Sequence, residues 1–479
     1  MRLMRGLARA PRALRSLPRW SLAALLVITL AGGVLRFAQA ADPSAYQSRD
    51  EVAYAQIARA LVVNGTYGLY GHDAQDDPVH WPPGAPLMFA LAHWIDPQQR
   101  GDGRWDVPSA YPFQAAVGTA AIVAIFVLAA LVAGPVAGVL AAAATAFYPP
   151  LISASGDLLS EPLGTLLLAC AMAATVLALR RFSWRTGALA GVLLAATILT
   201  RADLILVPLI ALATVAIVGW RRAGERRLAA AVRAAAPMAI ALVVVLTPWT
   251  IFASGVAGTF VPVSSGGASN LWVGTYLPGD GSIFGSKRAM ESEVKRHLPQ
   301  LSDRRPHQIS QVHVIRTVAA RRPDLDQEAA LRAEALANLR DYALGEPVAF
   351  GGMMARKVWR LWGDYTRGTY RKQRTWILSI HLAIFGLGIV GLVAGIAATR
   401  RPELWMIATI VLYVTAANAI LVSEPRHNLV TMPLLAAGGA MGLVLAVGRL
   451  RERTAAARVA APAGAHGDGH RDSAAHVPG

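Results

Sequence analysis

Ten long apolar runs decide what this chain can become. They fall at roughly 20–39, 111–132, 135–153, 158–179, 186–200, 203–219, 231–252, 375–398, 403–422 and 428–448. A backbone in hydrocarbon must satisfy its own N–H and C=O groups, so runs of this kind become membrane-spanning helices. The fifth and sixth are short; Gly187, Gly191 and the break at Arg201-Ala202-Asp203 read as two spans joined by a tight turn. The composition agrees, with 54% hydrophobic and 16% charged residues in 479, against about 25% charged in a soluble domain. The net charge of +17 would suit a nucleic-acid binder. The arginines, however, cluster between apolar runs and not on one patch, so membrane lipids and not nucleic acid are the expected partners. A single cysteine, Cys170, excludes a disulfide within the chain. The basic start and the run Ser21–Val34 resemble a signal sequence, but further spans follow, and an uncleaved first span is expected.

The arginine clusters orient the spans. Arg2 to Arg19 precede the first; Arg180, Arg181 and Arg185 follow the fourth; Arg221, Arg222, Arg226 and Arg227 follow the sixth; Arg400 and Arg401 follow the eighth; and Arg449, Arg451 and Arg453 follow the tenth. With ten spans every cluster falls on one side, which the positive-inside rule makes cytoplasmic. The organisation expected is a basic N-terminus (1–19), a transmembrane core (20–252) containing an external loop (40–110), an external, mainly helical segment (253–374), three further spans (375–448) and a disordered cytoplasmic tail (449–479). The chain should sit as a multi-pass protein in the cell membrane, a bacterial cytoplasmic membrane in particular.

The first external loop is the most informative. Ser48 with Glu51 three residues later forms the pattern of a capping box, so a helix should begin near Asp50. Val52, Ala53, Tyr54, Ile57, Ala58, Leu61 and Val62 supply an apolar stripe, and Asn64-Gly65 ends the helix. His80-Trp81-Pro82-Pro83-Gly84-Ala85-Pro86 must be a rigid turn. Other polar residues flank apolar runs on the same side: Asp157 and Glu161, Arg201 and Asp203, and Glu424, Arg426 and His427. Ionisable groups at such positions are costly and are functional by default. Each alone has a plainer reading, as helix N-terminal acid, surface pair or turn; their convergence on one side outweighs it.

Asp50-Glu51, Tyr54, Ile57-Ala58, Leu61, Gly65 and Pro82-Pro83 ahead of Leu87 resemble the first external loop of GT-C fold membrane glycosyltransferases, in the group of protein O-mannosyltransferases and aminoarabinose transferases. Ser160-Glu161-Pro162-Leu163, Thr200-Arg201-Ala202-Asp203, Thr247-Pro248-Trp249 and the Gly-rich run Ser264–Asn270 extend the resemblance. It implies a sugar donor carried on a polyprenyl phosphate, inversion at the sugar, and a catalytic Asp50. The acceptor would be a hydroxyl of a protein, lipid or glycan on the extracytoplasmic face.

The chemistry suits these residue types. A carboxylate can take the acceptor proton, and arginine suits the departing phosphate. We expect Asp50 as base, Glu51 in the capping box beside it, and Asp157 and Glu161 as a second acidic group for the acceptor or a metal. Arg201 and Arg426, with Lys357 and Arg360 of a basic, Trp-rich interfacial helix, should face the phosphate. Tyr54, His80, Pro83 and Asn270 should contact substrate. The residues point to no particular cofactor; a divalent cation is an open option, although His72, Asp76, Asp77 and His80 lack a recognised ligand spacing and read better as a solvated loop. His466, His470 and His476 lie in the tail and read as inert. The alternative is a secondary transporter or lipid flippase, which would place its charges near the bilayer midplane and show matching halves. A non-catalytic scaffold leaves the one-sided acidic residues unexplained.

Overall fold

The computed structural model describes residues 17–43, 48–69, 78–97, 107–222, 227–364 and 374–460. The possible metal residues His72, Asp76 and Asp77, position Arg226, and the tail histidines lie outside them. The described residues contain helices and no strand. In chain order the helices are α1 (Arg19–Ala41), α2 (Arg49–Asn64), α3 (Gly84–Ile95), α4 (Ala110–Ala133), α5 (Pro135–Ala146), α6 (Pro149–Ser153), α7 (Glu161–Arg181), α8 (Trp184–Thr200), α9 (Val207–Arg222) and α10 (Arg227–Ala257). They continue as α11 (Gly267–Thr275), α12 (Ile283–Ala289), α13 (Glu291–His297), α14 (Gln311–Ala319), α15 (Gln327–Asn338), α16 (Pro347–Trp362), α17 (Arg374–Thr399), α18 (Pro402–Ile420) and α19 (Thr431–Ala460).

Among the described residues eight helices are long and apolar enough to cross a membrane. The pair α5 and α6, bent by 57°, makes a ninth segment if it is one span. Helix α8, expected from sequence as the fifth span, has only 17 residues. It packs between α7 and α10. The protein is therefore an all-α, multi-pass membrane protein, with a span count that depends on how the bent pair and α8 are regarded.

The bend between α5 and α6 falls at Pro149 and Pro150, which open α6 and have no N–H to return to the Thr145 and Ala146 carbonyls. Arg36 of α1 is 1% exposed. Its guanidinium donates to the carbonyls of Ala146 and Thr145, each at 2.9 Å, and to that of Gly32 at 3.0 Å. It thereby satisfies carbonyls at the end of α5 that the bend leaves without helical partners. Elsewhere the bundle closes through small residues: a Cβ on Gly442 of α19 would lie 1.9 Å from the Gly391 carbonyl oxygen of α17, so glycine alone permits that approach. The segment between α10 and α17 has its own small core, with Trp272, Val294, Val314, Val318 and Leu331 buried together.

The arginine-rich ends and the polar cluster are on opposite ends of the bundle. Arg180 and Arg181 close α7, whereas Glu161 opens it. On the arginine side, Arg401 ahead of α18 donates to the Val132 carbonyl at the end of α4 (2.7 Å).

Candidate functional site

A cavity of about 230 Å³ lies where α2, the segment before α7, the α8–α9 turn, the Gly-rich loop and the α18–α19 turn meet. Its wall includes Asp50, Tyr54, His80, Glu161, Arg201, Asn270 and Arg426, all named from the sequence.

Asp50 is delivered by the start of α2. The expected capping box is present: Ser48 N–H donates to Glu51 Oε1 (3.0 Å) and Glu51 N–H to Ser48 Oγ (3.4 Å). Glu51 is 3% exposed, and its other oxygen accepts from Leu158 N–H at 3.3 Å. It thus ties α2 to the segment before α7 and turns away from the cavity, while its neighbour Asp50 faces in. Gln114 of α4 secures the same segment, donating to the carbonyls of Ala154 (2.7 Å) and Asp157 (2.5 Å) and accepting from Leu159 N–H (3.2 Å). This fixes Ser160 and Glu161 at the cavity.

Two ionic clusters result. Asp50 is paired with Arg426 and accepts from Trp81 Nε1 at 3.1 Å. Burial alone would raise the Asp50 pKa; the charge and hydrogen bond of Arg426, with the Trp81 bond, outweigh it and hold the carboxyl well below the usual carboxylate range. Arg201 grips Asp203 with Nε (3.1 Å) and Nη2 (2.8 Å), and its Nη1 lies 3.4 Å from Glu161 Oε1 and 3.3 Å from Ser160 Oγ. Burial, followed by the Asp50 and Glu161 carboxylates, pushes the Tyr54 phenol well above its ordinary value, so it stays a hydroxyl donor. His427 Nδ1 meets Asn418 Oδ1 at 2.7 Å. Since Asn418 Nδ2 donates to the Val414 carbonyl (2.9 Å), Oδ1 is the acceptor and Nδ1 carries the proton. Burial, then the Arg426 charge, lowers the His427 pKa to about 4, leaving a neutral imidazole.

Four expected residues are placed differently. Asp157 is 7% exposed and lies behind the cavity wall, because the extended turn before α7 directs Ser160 and Glu161 inward instead. Pro83 caps the start of α3, and Pro82 lines the cavity in its place. Lys357 is fully buried under α16. It donates to the carbonyls of Ala419 (2.6 Å) and Gly274 (2.7 Å), and burial, then the Arg360 charge, lowers its pKa to about 7. Arg360 is committed to Asp280, at 2.6 Å. Neither cation lines the cavity. Amphipathic α16 turns Trp359 and Val348 outward, 65% and 88% exposed, and presents Lys357 to the protein. Helix α16 instead braces the turn carrying Arg426: Arg360 Nη1 donates to the Ser423 carbonyl (3.4 Å), Ser423 Oγ donates to the Lys357 backbone carbonyl (3.0 Å), and Asn428 Nδ2 donates to the Leu361 carbonyl, while the Lys357 ammonium holds the end of α18 just before that turn. Lys357→Met should therefore cost stability, about 1–3 kcal/mol for carbonyls left unpaired. Thermal unfolding in detergent measures this; an unchanged Tm refutes the bracing role.

Sequence reasoning gave no role to Trp81 or Asn418. Neither carries a charge, and their partners lie 31 and 9 residues away. Glu424 accepts from Ile283 N–H (3.3 Å), outside the cavity wall. Among the described residues no three His, Cys, Asp or Glu side chains are grouped to hold a metal ion.

Residues 82–251 match the family model described as dolichyl-phosphate-mannose-protein mannosyltransferase. No curated protein sequence matches the chain. Among solved structures it is similar to the oligosaccharyltransferase AglB of Archaeoglobus fulgidus in complex with an inhibitory peptide and a dolichol-phosphate, with a TM-score of 0.51 and 15% identity over 94% of this chain and 52% of that one. The apo form of the Archaeoglobus enzyme gives 0.51 and 14%, over 92% and 52%. A looser match is ArnT of Cupriavidus metallidurans bound to undecaprenyl phosphate, with a TM-score of 0.39 and 15% identity over 91% and 79%. The chain thus spans about half the length of the oligosaccharyltransferase, 52%, and at this identity the likeness is one of fold. The matched residues include Pro82-Pro83, Ser160–Leu163, Thr200–Asp203 and Thr247–Trp249 of the GT-C resemblance read from the sequence, whereas Asp50 to Gly65 of the first loop lie outside them.

Proposed function

We propose that this protein is a membrane glycosyltransferase that moves a sugar from a polyprenyl-phosphate carrier to an acceptor hydroxyl, at the bundle end opposite the arginine clusters, on the extracytoplasmic face of a bacterial cytoplasmic membrane. The observation that carries the reading is the pairing of Asp50 with Arg426 in a cavity that also holds Arg201 and Glu161. One group of the first pair can take a proton and the other can hold a phosphate.

The resting pair keeps Asp50 ionised but a poor base. A donor phosphate entering the cavity competes for Arg426, and Asp50, released from that charge, becomes more basic where proton removal is needed. The acceptor oxygen attacks the anomeric carbon, the bond to the phosphate oxygen breaks, the acceptor proton passes to Asp50, and polyprenyl phosphate leaves held by Arg426 and Arg201. Attack from the face opposite the phosphate inverts the centre. Neutral His427, its Nε2 left as an acceptor, can orient a sugar hydroxyl.

The cavity carboxylates Asp50, Glu161 and Asp203 each face an arginine. That set suits a phosphate better than a divalent cation, although an Archaeoglobus structure is described as a complex with Zn and sulfate. The polar groups gather at helix ends, Glu161 opening α7 and Arg201 following α8. This placement favours interfacial chemistry over the midplane site of a transporter. The test is to incubate purified protein with a panel of polyprenyl-phosphate sugars and follow each donor by mass spectrometry. Consumption of one donor with release of polyprenyl phosphate is expected; vesicle translocation of an intact lipid without bond cleavage would mean a flippase.

A further inference from the structure

A second cavity, of about 100 Å³, adjoins the first and has no part in the scheme above. It is built by the external segment. Helix α14 contributes Val312, Ile315 and Arg316 from one face, and α15 contributes Gln327, Glu328 and Leu331 from one face. Arg49 at the start of α2 and Ser265, Gly266 and Ser269 of the Gly-rich loop complete it.

His80 lines both cavities. Its ring packs edge-on against Trp81, with centroids 4.9 Å apart, and Trp81 donates to Asp50. Gly266 permits this position, because a Cβ there would meet His80 Cε1 at 2.5 Å. The Arg49 guanidinium lies over the Trp81 ring, 5.3 Å from its centre. The second cavity is therefore one side chain away from the chamber that holds the carboxylate.

We infer that this second cavity, between α14, α15 and the Gly-rich loop, binds a water-soluble saccharide that presents its hydroxyl past His80 to Asp50. The inference rests on the transferase reading and deepens it by naming the acceptor class. A saccharide hydroxyl both donates and accepts, and the wall carries side chains of both kinds (Arg316, Gln327, Glu328) with two serines, of which Ser269 already donates to the Gly266 carbonyl at 2.9 Å. The apolar floor of Val312, Ile315 and Leu331 suits the C–H face of a sugar ring. A peptide added as a strand would need a sheet edge, and the described residues contain no strand.

Arg316 and Gln327 are exposed, and a double change to alanine leaves the buried residues between α14 and α15, Val314, Val318 and Leu331, in place. The first measurement is saturation-transfer NMR with maltotriose, chitotriose and mannotriose on the full-length protein, without donor. At least one triose should give a signal that the Arg316→Ala/Gln327→Ala variant loses. The second is transfer in the presence of the donor found above: KM for that triose should rise about tenfold in the variant, the scale of one or two lost hydrogen bonds, with kcat and donor hydrolysis by water unchanged. Silence of all three trioses, an unchanged KM, or transfer to a peptide or lipid in their place overturns the assignment. Triose binding that the variant loses, with no donor ever consumed, keeps the saccharide site and removes the transferase reading.

Discussion

An Asp50→Asn variant is expected to turn over the proposed lipid-linked donor about 10²–10⁴-fold more slowly than the wild-type chain, the usual contribution of a positioned general base. The fold and the donor affinity should survive, since the asparagine oxygen can still accept from Trp81 Nε1. The control is Glu51→Gln. Glu51 caps α2 and binds Leu158 N–H, so its loss should lower stability by about 0.5–2 kcal/mol and leave the rate per folded molecule nearly unchanged. The pH profile supplies a second readout. Arg426 holds Asp50 below the ordinary carboxylate range, and His427 gains its proton only near pH 4. Acidification therefore protonates neither group across the neutral and mildly acidic range, and kcat/KM should stay flat from about pH 8 to about pH 5, falling only below that. The kcat profile, in which the donor phosphate occupies Arg426, should have its acid limb at higher pH. Near-normal turnover of Asp50→Asn beside a dead Glu161→Gln would move the base to Glu161.

Arg426→Ala should lower kcat by about 10²–10³-fold, the cost of removing one group that stabilises developing charge. It also leaves Asp50 without its cation, so the acid limb of kcat/KM should rise into the ordinary carboxylate range. Arg426→Lys should restore part of the rate only, because an ammonium lacks the planar fork that can hold a carboxylate and then a phosphate oxygen pair. If Arg426 and Asp50 act as one unit, the double variant loses far less than the sum of the two single losses. Additive losses, or an unshifted acid limb in Arg426→Ala, would separate the two residues and leave Arg426 as a structural tie. Arg201→Ala provides the comparison: Arg201 is held by both Asp203 and Glu161, so its removal should unpair two carboxylates and damage folding as well as rate.

What the sequence by itself determined is local or additive. Apolar run length fixes helices in a membrane, and arginine placement between runs sorts their ends. Ser48 and Glu51, three residues apart, specify the start of α2, because a capping box closes within one turn. Charged residues beside spans stand out from the sequence because burial there is expensive, and Asp50, Glu161, Arg201 and Arg426 all reach one cavity.

Tertiary structure alone decided which charge meets which. Asp50 and Arg426 are 376 residues apart, and no periodicity relates them. Lys357 carries the same charge as Arg426 and sits on a helix of the expected basic, Trp-rich type. The rotation of α16 buries it against the Ala419 and Gly274 carbonyls, and a helical pattern cannot say what stands opposite its buried face. Arg36 was hidden inside an apolar run, and its role depends on a bend in α5 and α6 more than a hundred residues later. Asp157 and Glu161 are four residues apart yet separate at the cavity wall, because the turn before α7 is not helical and the i,i+4 relation does not hold there.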